Sequence, residues 1–325
     1  MSYPPPPGFA APIVPVAPEP IPPTPYHRMF RTVRGYAAWR PLVAVVLFAV
    51  FAGVALTIVS VLWLVVAILT GALDLTGDLG SLESDLVAQT TDVANPLSLA
   101  LLMLSLVVLL PLVPAAMWCA GLRPVRVRHS VAGRLRWGWM ARCLVPAVVV
   151  TAVATGLPYL FVLIAGETVE PVPVDGGLFA LLAVMIIVLV PLQAAAEEYV
   201  FRGLILQVMG AWLRWSWIGV VVSTLIFTVG HTQYELWGAL SVAVMGAGFA
   251  IVTIRTGGLE AAIVLHVVNN LVALLLLASG ITGTTQMSSE GSGPLAPILQ
   301  VVFTTGYVLW VDRLAARRGI ARLTA

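Results

Sequence analysis

Lysine is absent from this chain: all 17 basic residues are arginine. That excludes Schiff-base chemistry on a lysine and the lysine of a Walker phosphate loop. Cysteine is nearly absent too. Cys119 and Cys143 form no CxxC pair or thiolate cluster, which excludes a structural zinc finger and an iron–sulfur site. They flank an arginine-rich segment assigned below to the cytoplasm, where a disulfide is not expected. Charge is scarce at 10% of 325 residues, against about 25% in a soluble globular chain. Apolar residues fill the gap, at 60% of the chain with a mean hydropathy of +1.00. So few charges cannot cover a water-facing surface. The composition predicts an all-α, polytopic helical bundle, a multi-pass protein of the cell membrane. The N-terminus opens on prolines, not on a short basic stretch and an apolar core, so a secretory signal peptide is not expected.

Along the chain, residues 1–27 read as a disordered, proline-rich cytoplasmic tail, with 11 prolines before Tyr26 and no identifiable partner. Residues 28–170 read as N-terminal transmembrane helices, with apolar runs at 41–73, 96–118 and 143–165. The first run exceeds the ~20 residues a span needs, so tilt or an extension beyond the bilayer is expected. A fourth span starts near 177, and further spans cover about 217–231, 236–255, 259–279 and 295–311. The segment 281–325 reads as the final span and a basic cytoplasmic tail. About eight transmembrane helices result.

Arginine-rich and arginine-free segments alternate at every crossing. Arg28, Arg31, Arg34 and Arg40 precede the first span, and Arg123 to Arg142 separate the second from the third. Asp74, Asp78, Glu83, Asp85 and Asp92 occupy one intervening loop, and Glu167, Glu170 and Asp175 another. The positive-inside rule then places both termini in the cytoplasm. The arginines follow membrane topology and gather on no soluble domain, so nucleic-acid binding is not expected. No internal repeat of the transporter kind is present. Segment 203–216, with Trp212, Arg214 and Trp215, reads either as an interfacial helix or as a continuation of span four broken near Pro191.

Three polar clusters interrupt the apolar half. Glu197 and Glu198, with Arg202, end span four; Phe227 and His231 end span five; His266, Asn269 and Asn270 sit inside span seven. Ionisable residues at such positions are functional candidates by default. Helical spacing puts Glu198 with Arg202 and His266 with Asn270 on common faces. Glu197 is turned about 100° from Glu198 and can meet a different environment. Blander readings exist for each: a topology-setting ion pair for Glu198 and Arg202, and helix–helix hydrogen bonding for His231. His27 and His129, in basic segments, are expected to be solvated. Together, a carboxylate, two imidazoles and a carboxamide on three helices are the parts of a site that activates water.

EExxxR at Glu197, Glu198 and Arg202, FxxxH at Phe227 and His231, and HxxxN at His266 and Asn270 follow in order. In this the chain resembles the CPBP family, the CAAX-processing and bacteriocin-processing intramembrane proteases that include type II CAAX prenyl endopeptidases. Arg255-Thr256-Gly257-Gly258-Leu259 is similar to that family's approach to the second histidine helix. The resemblance spans about residues 175–280, a CPBP-like catalytic core. It implies an endopeptidase that hydrolyses membrane-associated proteins or peptides within or beside the lipid bilayer.

On that resemblance Glu197 is the general base and His231 positions water or binds a metal. His266 and Asn270 complete the site, with the Asn270 amide serving the oxyanion. Glu198 and Arg202, with Phe227, support it. Zinc on Glu197, His231 and His266 and a metal-free glutamate mechanism both remain open, since the HExxH spacing is absent. A non-catalytic scaffold, an immunity-type protein or a transporter on the same bundle is the alternative. Drawn as simple spans, Glu197 and His266 lie toward the inner face, while His231 lies ~21 Å of helix rise beyond Trp217. Their meeting requires a helix to tilt, break or start deeper, and Pro191 and Gly210 are candidate places for a break.

Overall fold

The computed structural model describes residues 22–73, 86, 89–231, 234–288 and 293–325. The prolines before residue 22, the acids Asp74, Asp78, Glu83 and Asp85, and Thr232 and Gln233 lie outside the described residues. Among the described residues eight long helical runs follow in the expected order: α1 (Arg40–Leu69), α2 (Pro96–Cys119), α3 (Trp137–Ile164), α4 (Gly176–Trp212), α5 (Ser216–Val229), α6 (Leu236–Thr256), α7 (Glu260–Ser279) and α8 (Leu295–Arg317). Seven are long and apolar enough to cross a membrane; α5, with 14 residues, is shorter. Among the described residues β-pairing is limited to isolated bridges.

The helices are built for hydrocarbon. Along α1, Leu42, Val46, Val50, Val54, Ile58 and Leu62 recur every four residues, and each is more than half exposed. In water such a stripe would aggregate; in lipid it is an ordinary outer face. Hydrophobicity cannot hold helices together where the solvent is equally apolar, so close packing and internal polar bonds must. Helix α7 is the centre of this packing and contacts α3, α4 and α6. Its first turns pack small residues, Ala261 and Ala262, fully buried among them. Where the chain leaves the helices, side chains and glycines satisfy the ends. Asn95 and Asp175 cap α2 and α4, and Gly257 and Gly280 take left-handed conformations after α6 and α7.

The loops sort onto two ends of the bundle. Val93 N–H donates to Thr285 O (2.9 Å), Met287 N–H to Thr91 O (2.9 Å), and Val172 N–H to Gly280 O (2.9 Å). Three arginine-free connections thereby meet at one end. At the other end Pro25 pairs with Leu323, and Thr324 N–H donates to Thr24 O (3.0 Å). The segment after α2 joins them there, with Val131 N–H on Gly257 O (2.8 Å) and Leu259 N–H on His129 O (3.0 Å).

The arginine-rich end is more ordered than expected. Residues 22–27, assigned above to a disordered tail, are in place, and a 3-10 helix at Tyr26–Thr32 buries Tyr26, His27, Met29 and Phe30. These apolar side chains pack on the last turns of α4, whose Gly210 lets the His27 backbone approach closely. Arg31 Nε donates to Ala211 O (2.8 Å), and Trp212 Nε1 donates to Ala38 O (2.6 Å). Segment 203–216 is thus no exposed interfacial helix. Most of it is the buried end of α4, with Leu206, Gln207, Val208 and Ala211 covered.

His27 and His129 are not solvated either. His27 is buried, and His129 Nδ1 lies 2.6 Å from Tyr199 Oη. Burial, with Arg28 and Arg128 alongside, lowers both imidazoles from 6.5 to about 4. They stay neutral in the fold, and the unfolded chain takes up their protons first. Their contribution is complete above pH 6.5 and is lost as the pH falls toward 4. The melting temperature should therefore rise between those pH values, and the rise should be shallower in the His27→Gln/His129→Gln double variant. Separately, Gly210→Ala should drive a Cβ into the His27 carbonyl and cost about 1–3 kcal/mol, measurable as a lowered melting temperature in detergent.

Candidate active site

Helix α4 does not end at the glutamates. It runs through Pro191 as regular α-helix to Glu198, turns into a π-helix at Tyr199–Ile205, and resumes as α-helix to Trp212. π-Helical turns are rare and concentrate at functional sites. The irregularity falls directly after the glutamate pair, not at Pro191. Glu197 is thereby an interior residue, with ~22 Å of helix between it and Trp212. After a short turn α5 runs back beside α4, and its 14 residues cover ~21 Å before His231. The two arms are equal in length, so His231 returns to the level of Glu197. That resolves the apparent mismatch in depth.

Glu197, His231, His266 and Asn270 line one cavity of about 130 Å³. At ~30 Å³ per water it holds about four. Gln193, Tyr234 and Asn269 share its wall. Phe227 does not line it but supports it: its ring is 4.5 Å from that of His231 and stands edge-on to Phe201 at 5.0 Å.

Below the cavity lies a buried ion-pair network. Arg202 is fully buried; its Nη1 donates to Glu198 Oε1 at 3.1 Å and its Nη2 to Gly246 O at 2.6 Å. The guanidinium lies 4.7 Å from the Phe227 ring and 5.3 Å from that of Phe249. Gly246 makes this possible, because a Cβ there would meet Phe227 at 2.9 Å and Arg202 at 3.3 Å. The pair expected from i,i+4 spacing is present, and Glu198 does more. The same Oε1 is 2.9 Å from His266 Nδ1, while Phe249 stacks on the His266 ring at 5.0 Å. Donation from Nδ1 orients the imidazole and turns Nε2 toward Glu197, whose Oε2 lies 3.7 Å away. That gap is too long for a hydrogen bond.

Glu197 is held from its other side. Gln193 Nε2 donates to Glu197 Oε1 at 2.5 Å, and Asn270 Nδ2 donates to Gln193 Oε1 at 3.1 Å. Asn269 Nδ2 in turn donates to Asn270 Oδ1 at 3.2 Å. One carboxylate oxygen is thus fixed by an amide chain. The other, Oε2, is buried without a hydrogen-bond partner. His231 Nδ1 donates to Phe227 O at 2.7 Å, leaving its Nε2 as the free ring nitrogen.

Gln193 was missed in the sequence, although it sits one helical turn before Glu197 and its spacing marks it. Glu260 and Arg136 were missed as a pair as well. Glu260, fully buried at the start of α7, takes Arg136 Nε at 2.8 Å and Nη2 at 2.7 Å, a bidentate bond that fastens the segment after α2 to that helix. No sequence period links residues so far apart.

Among the described residues no three His, Cys, Asp or Glu side chains gather as a metal-holding group. Glu197 Oε1 is also occupied by an amide N–H, which competes with a cation. The ion-pair network has a clear energetic signature. Arg202→Met should leave Glu198 uncompensated and cost about 3–5 kcal/mol. Adding Glu198→Gln should recover part of that loss, and a double-mutant cycle of detergent unfolding measures the coupling.

Comparison with known proteins points to the same part of the chain. Residues 178–272 match the family model described as "Type II CAAX prenyl endopeptidase Rce1-like". The match runs from the start of α4 into α7 and contains all three polar clusters. A protein of Escherichia coli, described as "Uncharacterized 24.3 kDa protein", is 33% identical over 92 residues, which are 28% of this chain and 41% of that protein. The chain therefore spans less than half the length of this curated relative. No solved structure matches. The chain is a multi-pass membrane protein whose region from α4 into α7 is similar to the Rce1-like type II CAAX prenyl endopeptidases.

Proposed function

We propose that this protein is an intramembrane endopeptidase that hydrolyses peptide bonds of membrane-associated proteins or peptides, with Glu197 as general base. One observation carries the reading. Glu197 presents a buried carboxylate oxygen without a partner, 3.7 Å from His266 Nε2, beside a cavity large enough for water. A buried acceptor left unpaired is costly unless it has a task.

Water drawn from the cavity onto Glu197 Oε2 transfers a proton to the carboxylate, and its oxygen attacks the scissile carbonyl carbon. The C=O π electrons move onto the oxygen, which needs hydrogen-bond donors. Asn270 has one amide N–H beyond that given to Gln193 to donate to it. The tetrahedral intermediate collapses with cleavage of the C–N bond, and the proton on Glu197 passes to the departing amine. Gln193 keeps the base from rotating, and Glu198 keeps His266 in register. In this reading the side chains alone make each proton transfer. Segregation of the arginine-free loops from the arginine-rich ones, with α5 counted as a crossing, supports both termini lying in the cytoplasm.

Purified protein in detergent or lipid should cleave a membrane-proximal peptide substrate. Glu197→Gln should reduce the rate about 10²–10⁴-fold, as should His266→Ala, without changing the unfolding temperature by more than a few degrees. Chelation should leave cleavage intact. Full activity in both variants would overturn the site; stoichiometric zinc together with chelator inhibition would overturn the metal-free reaction.

A further inference from the structure

At the arginine-rich end, away from the active site, Arg34, Arg40, Arg123 and Arg126 surround a cavity of about 720 Å³ together with Gly121 and Pro124. That volume is within the ~300–1,000 Å³ typical of small-molecule sites. Among the described residues no carboxylate pairs with any of the four. The contrast with the rest of this end is informative. Arg136 has Glu260, and Arg255 and Arg322 share Asp312. A positive-inside bias explains arginines here, but not four of them converging on an open space without a counter-charge.

Two of the four are already positioned. Arg40 Nη1 donates to Gly121 O at 3.2 Å, and the Arg123 guanidinium lies 4.0 Å over the Trp118 ring. Arg40 Nε is buried with no partner. Arg40 is also the first residue of α1, whose first turn carries no acid and whose N-cap makes no side-chain bond. A cation at the positive end of a helix dipole is unfavourable on its own and favourable next to an anion. The missing component is therefore a multivalent oxyanion. Trp39 and Trp118, 59% and 56% exposed, flank the cavity at the start of α1 and the end of α2, as tryptophans do at a membrane–water interface. Tryptophans so placed suit the level of a lipid headgroup.

We propose that this arginine cavity binds the phosphate of an anionic phospholipid headgroup. Guanidinium forks match phosphate oxygens, and basic pockets between transmembrane helices are suited to such headgroups.

Delipidated full-length protein can be titrated with phosphatidylglycerol or phosphatidylcholine and bound lipid counted by native mass spectrometry. Wild type should retain phosphatidylglycerol over phosphatidylcholine, and Arg34→Gln/Arg126→Gln, which removes two side chains with no intramolecular ion pair, should weaken that retention roughly tenfold or more. Arg317→Gln/Arg318→Gln, two arginines at the end of α8 outside the cavity, should bind as wild type. Equal retention by the Arg34/Arg126 variant, or an equal loss in the Arg317/Arg318 variant, would overturn the site. Inorganic phosphate is the competing occupant: displacement of the lipid by millimolar phosphate would assign the cavity to a soluble anion and overturn the lipid.

Discussion

A guanidinium buried in a membrane bundle must be neutralised and hydrogen-bonded locally, because no water is at hand to do it. Arg202 imposes that requirement on everything around it. Glu198 supplies the charge, the Gly246 carbonyl takes a second N–H, and Phe227 and Phe249 pack near its plane. Helices α4, α5 and α6 are thereby brought within contact of one another, with Gly246 as the condition for their approach. Since Glu198 Oε1 also meets His266 Nδ1, the same ion pair sets the orientation of a ring on α7. Structural support and site chemistry are joined through a single carboxylate oxygen.

The two glutamates thus divide the work as their 100° offset allows. Glu198 looks into the network beneath the cavity and Glu197 into the cavity itself. An amide relay from Asn269 through Asn270 and Gln193 holds Glu197 by one oxygen and leaves the other unpaired. Glu198 Oε2 is likewise buried without a partner, so neither burial nor an unpaired oxygen separates the two; Glu197 is set apart by lining the cavity and by facing His266 Nε2.

Much of the site was legible in the sequence wherever a helical repeat connected its parts. Spacing of four paired Glu198 with Arg202 and His266 with Asn270, and both pairs share faces as expected. Gln193 obeys the same spacing and was passed over, since an amide draws less suspicion than a charge in an apolar helix. Composition misled at the arginine-rich end. His27 and His129 were expected in water because arginines surround them, yet Tyr26, Met29 and Phe30 carry their segment into contact with α4. The depth of His231 also resisted reading, because the extent of α4 beyond Glu198 sets it.

The sequence by itself determined a polytopic helical bundle, the order of its eight helices and the polar residues that interrupt them. Those are consequences of composition and local period. Only the tertiary structure decided that α4 passes through a π-turn and that α5 returns by an equal length beside it. It also decided that Glu260 meets Arg136, and that four arginines with no carboxylate partner among the described residues enclose a cavity. Each of these depends on contacts between segments far apart in the chain, and in a membrane such contacts are selected by shape and polar satisfaction, which hydrophobic pattern does not encode.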